Sequence, residues 1–453
     1  MKSENTENKR LDFEFLRGFA VIIVFLFHYN QQIFPYYFVG VDLFFLISGY
    51  VITKSISLNK NFDLFEFYLK RIKRIYPALI VILTIYITYF LRFSNFDGGS
   101  YLDTVFSTLS TIFAVSNYFY AINPNYFYFS PEIKNLHHTW SLSVEIQFYI
   151  FIGLFLFLLN FLNNQKFKSL IYFLLPIFIV SLLLFITSSN KLLSGYYAFP
   201  GRLWEFLLGG IIYMHQSKKK FLNFHLSIII FLSSIFILGI INPEINYKVI
   251  IFFSIIYFSL IMTFSNFHNS FIIDKILIFF GKISFSFYLW HLIILTFFKN
   301  TLANIYFDFS LNFIASFLFS FLTYILIEEK LNKKLALDKY LIKTIKFFTF
   351  ASLITVIYST TFNQKFIFDL RNLIFQKSIQ SFNKLKKPIL DIDLFRGEEF
   401  SFRYDSCYNK YENFSWFKGT NCLIDNSDQT LFYIMGDSYG DHIVPTIAST
   451  KNK

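Results

Sequence analysis

Charge is scarce in this sequence. Only 15% of its 453 residues are Asp, Glu, Lys or Arg, where soluble globular domains carry about 25%. That shortfall excludes a water-soluble enzyme of one to three ordinary domains. Disorder is excluded as well, because it requires low hydrophobicity and 55% of this chain is hydrophobic. Cysteine is nearly absent: Cys407 and Cys422 are the two, both in the one long polar stretch. The first apolar run has no small-residue cleavage site after it and contains Arg17, so it reads as a retained first span rather than a signal peptide. What the chain has in abundance is 67 Phe and 30 Tyr, with a mean hydropathy of +0.49. This is the composition of an all-α, multi-spanning membrane protein.

Runs near the length of about 20 apolar residues that crosses a bilayer lie at 13–34, 36–56, 75–92, 143–162, 168–187, 199–215, 222–241, 247–267, 284–298, 309–329 and 343–362. A further stretch, 101–121, is interrupted by Asp103, Asn117 and several Ser and Thr. Positive charge decides how to treat it. With Lys2, Lys9 and Arg10 inside, the loop after the second span is also inside and holds Lys54, Lys60, Lys70, Arg71, Lys73 and Arg74. If 101–121 does not cross, the clusters at Lys166, Lys218, Lys275 with Lys282, and Lys330 all fall inside too; a crossing there would reverse every later loop. The expectation is that 101–121 is re-entrant or lies on the outer face. Residues 1–335 then form a ten-span domain, 336–362 a linker and extra span, and 363–453 an extracytoplasmic segment in which Cys407 and Cys422 can pair. Topology accounts for the net charge of +12, and nucleic acid is not an expected partner.

Ionisable groups inside spans are costly and mark candidate sites. Arg17 and His28 share the first span, eleven residues and about three turns apart, hence on one face and about 16 Å apart along it. Snorkelling by Arg17 and a structural role for His28 are the plain alternatives. The second span carries Asp42 and the small pair Ser48-Gly49, which permits close helix approach. Arg71 and Arg74, with Lys73 between them, stand three apart at a helix start, a spacing suited to phosphate, although ordinary inside charge explains them equally. The stretch HHTWSLSVEIQFYI puts His137, His138 and Trp140 before Glu145, a carboxylate inside the apolar register that needs a partner. Arg202 and Glu205 are again three apart, as a structural pair or a substrate contact. Trp290-His291 closes GKISFSFYLWH.

Taken in order, LDFEFLRGFAVIIVFLFH, FFLISGYVIT, RIKRIYPAL, HTWSLSVEIQFY, RLWEFLLGG and ISFSFYLWH resemble the membrane acyltransferase 3 family, bacterial O-acyltransferases of cell-envelope glycans. The resemblance covers residues 10 to about 330. It implies an acyl-CoA donor, usually acetyl-CoA, on the inner side of the bacterial cytoplasmic membrane and no metal. The acceptor is a glycan hydroxyl outside, on lipopolysaccharide O-antigen, peptidoglycan or exopolysaccharide. By the same resemblance Arg71, Arg74 and Lys73 meet the donor phosphates, and the thioester arm enters alongside Arg17. His28 acts as general base or brief acyl carrier. Glu145 orients the acceptor or His28, with Trp140, His138, Asp42, Arg202 and Glu205 on the acceptor side. Oligomeric state stays open.

The tail resembles the fused form of the family, which ends in an extracytoplasmic SGNH domain. There the Cys407 and Cys422 pair precedes the Gly436-Asp437-Ser438 block, with Ser438 matching the nucleophile. The later blocks of that pattern do not fit in residues 439–453, so a truncated, split or degenerate second domain is expected. The rival readings are a transporter or flippase of a lipid-linked sugar or acyl group, which also uses intramembrane charge, and a non-catalytic anchor. The lack of an internal repeat and the inside position of the R-x-x-R loop count against transport.

Overall fold

In the computed structural model the described residues are 10–58, 63–93, 98–122, 136–162, 170–188, 190–215, 220–298 and 305–329, with residues 422–423 and 433–434. The chain divides into two compact units, Met1–Asn363 and Gln364–Lys453. In the second, the described residues are the two-residue strands Cys422–Leu423 and Tyr433–Ile434, paired antiparallel. The expected span at 343–362, Cys407 and Ser438 lie outside the described residues.

The first unit is helical, as backbone in lipid must be, since each N–H and C=O has to find its partner within the segment. Helices occupy all ten expected core spans. In chain order they are α1 (Leu11–Tyr29), α2 (Gly40–Ser57), α3 (Leu64–Phe93), the short α4 (Gly98–Ile112) and α5 (Ser116–Ile122), α6 (Thr139–Leu162), α7 (Leu170–Thr187), a single turn α8 (Lys191–Ser194), α9 (Phe199–Met214), α10 (Phe224–Ile241), α11 (Tyr247–Phe264), α12 (Ile272–Phe298) and α13 (Ile305–Thr323). Six of these stretches are long and apolar enough to cross a membrane, those at Tyr37–Ser57, Thr139–Leu158, Phe224–Ile241, Tyr247–Phe264, Ile272–Phe298 and Ile305–Glu328. The protein is an all-α polytopic membrane protein. The stretch 101–121 is two helices rather than one, broken at Ala114, whose φ is 55°. At 1.5 Å per residue α4 measures about 22 Å, short of the roughly 30 Å hydrocarbon core.

Side-chain placement is inverted relative to a soluble bundle. Along α13, Asp308, Asn312, Ser316, Ser320 and Thr323 are buried while Phe307, Ile314, Leu318 and Leu322 are exposed. The buried polar groups bond back to the helix, as in Asn312 Nδ2 donating to the Asp308 carbonyl (2.8 Å) and Ser316 Oγ to that of Asn312 (2.8 Å). Apolar side chains face outward because lipid tails are as apolar as they are.

Among the described residues, two helix pairs touch at the backbone with a glycine on each side. A Cβ added at Gly18 of α1 would lie 1.9 Å from the Leu277 carbonyl oxygen of α12, and one at Gly281 of α12 would lie 1.8 Å from the Glu14 oxygen of α1. The contact is reciprocal. The same arrangement joins α2 and α9, where Gly49 meets the Phe206 oxygen at 1.9 Å and Gly209 that of Leu46 at 2.0 Å. Such approach is the use of small residues between membrane helices. Gly281→Ala is therefore expected to destabilise the bundle by about 1–3 kcal/mol, the cost of overpacking against something that cannot rotate away. Gly210→Ala should cost less, because its Cβ meets the Thr53 side chain. Thermal unfolding of the detergent-solubilised protein checks the order; equal melting temperatures would refute it.

Candidate active site

α1 carries the site from one end to the other. At its N-terminal end a cavity of about 200 Å³ is lined by Arg17 and Glu14 of α1, Lys73 and Arg74 of α3, and Gly281, Lys282, Ser284 and Phe285 of α12, with Tyr324 and Glu328 beyond α13. Four cations face two carboxylates there. Arg17 lies 3.8 Å from Glu14, and Glu328 accepts from Ser286 Oγ. The excess of positive charge in a polar recess suits an anion such as phosphate. Arg71, expected beside Arg74, turns back onto its own helix. Its Nη1 donates to the Phe67 carbonyl (2.8 Å) and its guanidinium stacks 3.7 Å over the Phe67 ring.

Glu145 of α6 lies deeper. Ser48 Oγ of α2 donates to its Oε1 (2.7 Å), and Tyr149 Oη donates to the same oxygen. Arg17 and Arg74 feel its charge. The carboxylate has the partner that its position in an apolar register demands, and it belongs electrostatically with the cation cavity.

At the C-terminal end of α1, three histidines meet. His28 is half-buried, and His138 and His291 are buried. The ring centroids of His28 and His291 are 5.0 Å apart, and those of His138 and His291 5.2 Å. His28 Nδ1 lies 2.9 Å from the Val24 carbonyl oxygen and 3.2 Å from His291 Nε2. A carbonyl oxygen can only accept, so Nδ1 of neutral His28 carries the proton and Nε2 the lone pair. The helix itself thus fixes the tautomer of His28.

The acyltransferase 3 family model, an acyltransferase domain, matches residues 10–329. The chain belongs to this family. O-acetyltransferase OatA of Staphylococcus aureus, in strains NCTC 8325, COL and MRSA252, is 32% identical to it over 308 residues, 62% of this chain and 50% of OatA. The chain spans about half the length of these curated relatives. No solved structure matches it.

Every site residue read from the sequence lies within the matched region except Ser438, which belongs to the SGNH-like tail. The structure sorts them into three groups. Arg17, Lys73 and Arg74 share the cavity, and His28 and His138 share the histidine cluster. Asp42, Arg202 and Glu205 form a third group that is sealed, each being 0% exposed. Arg202 Nη1 donates to Asp42 Oδ1 (2.6 Å) and Glu205 Oε1 (2.7 Å), and its Nε donates to the Tyr196 carbonyl (3.0 Å). The Arg202 guanidinium also lies 4.8 Å from the Tyr196 ring centroid and 5.7 Å from that of Trp140. Trp140, expected on the acceptor side, is buried in this shell. Outside the spans, His137 Nε2 and Tyr197 Oη are 2.9 Å apart, and burial pushes the Tyr197 phenol up to about 12, so it keeps its proton.

Sequence reasoning missed Lys282, Glu14 and Glu328. The positive-inside count places Lys282 in a loop, but α12 begins at Ile272 and carries it into the cavity wall. A cation inside an apolar helix was the available signal. A larger cavity of about 400 Å³ lies beside Arg10, Asp12 and Lys220. Its carboxylate is taken by Arg10 (2.5 Å), while burial and then Arg10 push Lys220 below the usual lysine range.

The sealed triad makes a prediction. Arg202→Met leaves two carboxylates buried without their cation, and the expected loss is about 3–5 kcal/mol of stability. The yield of monodisperse protein and its melting temperature measure this. An unchanged melting temperature with activity lost would instead make Arg202 a substrate contact.

Proposed function

We propose that this acyltransferase 3 protein is a membrane O-acetyltransferase, taking the acetyl group of acetyl-CoA to a hydroxyl of a cell-envelope glycan. The observation that carries the reading is the division of α1, with Arg17 in a cation-lined cavity at one end and His28, bearing its lone pair on Nε2, at the other. The name of its relative OatA as an O-acetyltransferase supports it.

In this reading the N-terminal end of α1 faces the cytoplasm, in keeping with the basic loops. Arg17, Lys73, Arg74 and Lys282 hold the phosphates of the donor. About 16 Å separates Arg17 from His28 along the helix, and the extended thiol arm of CoA covers it. His28 Nε2 removes the proton of the acceptor hydroxyl as its oxygen attacks the thioester carbonyl carbon. The C–O bond forms, the C–S bond breaks, and the proton passes from His28 to the departing thiolate. Glu145, held by Ser48 and Tyr149, balances the guanidinium groups so that the cavity is not repelled into an open state before donor arrives. His138, packed against His291 in the histidine cluster, flanks the route of the acceptor.

His28→Ala is expected to lower O-acetylation about 100-fold or more, the usual weight of a general base, with the protein still folded. Arg74→Ala should raise KM for acetyl-CoA about tenfold, the loss of one charge-assisted contact, and leave kcat near its original value. Base-released acetate from envelope glycan and transfer from radiolabelled acetyl-CoA measure the two. Wild-type acetylation in His28→Ala would overturn the mechanism. Acetate content independent of the protein altogether would favour transport.

A further inference from the structure

His291 has no role in the mechanism above, yet its hydrogen bonds are as constrained as those of His28. Its Nδ1 lies 2.6 Å from the Tyr288 carbonyl oxygen, an atom that only accepts, so the ring proton sits on Nδ1 and Nε2 carries the lone pair. That Nε2 is 3.2 Å from His28 Nδ1. One proton is therefore shared between three atoms: His28 Nδ1 donates to the Val24 carbonyl of its own helix and to His291 Nε2 of α12. The direction of the chain is fixed at both ends by backbone carbonyls, with the lone pair of His28 left on Nε2.

We propose that His291 is a positioning residue for the acyl transfer, holding the His28 ring and stabilising the imidazolium that His28 becomes when it takes the acceptor proton. This rests on His28 being the base. The acceptor of the Nδ1–H is a neutral imidazole rather than the carboxylate usual beside a catalytic histidine. A carboxylate forms an ion pair with the imidazolium and needs charge buried beside it; an imidazole strengthens the base through a charge-assisted hydrogen bond without adding an ion. In an apolar bundle that difference lets His28 take a proton and give it up again. His291 cannot leave. It is fully buried on α12, which is locked to α1 by Gly18 and Gly281. The other titratable groups around the pair are His138 and Tyr288, whose Oη donates to the His138 carbonyl (2.7 Å), and Glu145, which reaches Tyr288 electrostatically. On α13, Asp308 accepts from Tyr29 Oη and Asn312 Nδ2.

The test uses the full chain in detergent with His291→Phe, which cannot accept the bond, and His291→Gln, whose Oε1 can. Diethyl pyrocarbonate adds an ethoxycarbonyl group to an unprotonated imidazole nitrogen, releasing carbon dioxide and ethanol. Peptide mass spectrometry of His28 across pH therefore reads its protonation without activity. In His291→Phe the midpoint of His28 modification should move to lower pH by about one unit, a tenfold change in proton affinity. Acetyl transfer should fall about tenfold or more at unchanged KM for acetyl-CoA. His291→Gln should stay within about threefold of wild type. If His291→Phe does not fold, His291→Leu takes its place as the non-accepting variant. An unmoved midpoint, or equal losses in the accepting and non-accepting variants, overturns the proposal. His28→Ala separates the two ideas: transfer surviving in it removes the base itself, whereas transfer lost there with an unmoved midpoint in His291→Phe removes His291 alone.

Discussion

The contact of α1 with α12 at Gly18 and Gly281 is the constraint on which the rest depends. Each glycine lies against a carbonyl oxygen of the other helix, nearer than any Cβ could come. Because the two helices are pinned at that level, Lys282 is brought to the cavity of Arg17, and nine residues further along α12 His291 reaches His28. The cavity and the histidine cluster are two ends of one interface. Van der Waals packing is what such an interface offers in lipid, where no hydrophobic gain draws helices together.

Ionic groups in this bundle are handled in two distinct ways. The Asp42–Arg202–Glu205 cluster is closed, with its charges facing one another and no exposed surface. It ties α2 to α9, the helix pair that also carries the glycine approach of Gly49 and Gly209. In the cavity, Arg17 and Glu14 stand 3.8 Å apart with both side chains partly exposed. Buried ions without slack hold helices, whereas ions with slack can receive a ligand.

Much of this was legible in the sequence, for identifiable reasons. Lipid demands continuous apolar runs, so all ten core helices could be located before any fold was known. The fixed 3.6-residue repeat likewise made the relation of Arg17 to His28 readable, since both lie on one helix. Relations between helices were not readable. Asp42 and Arg202 stand 160 residues apart and nothing local pairs them; Arg202 and Glu205, three apart, could be paired. Spacing also misled at Arg71 and Arg74, where Phe67 draws one guanidinium away. Lys282 was read as a loop charge because a positive-inside count treats each lysine as outside the membrane core, while α12 extends past it. The break at Ala114 left no glycine or proline to announce it.

One consequence of α1 reaches beyond the positions of its residues. Both ends of the site belong to one rigid rod, and that rod is locked to its neighbour near its middle. A rod of fixed length is a ruler. If the proposed donor is held by its phosphates at one end, it presents its acyl carbon at the other only when the arm between them has the right span, so selection would then work by length as well as by chemistry. On that reading a shorter thiol arm would leave the reacting carbonyl short of the imidazole, whereas a longer acyl chain would leave that carbonyl where it is and only extend past it.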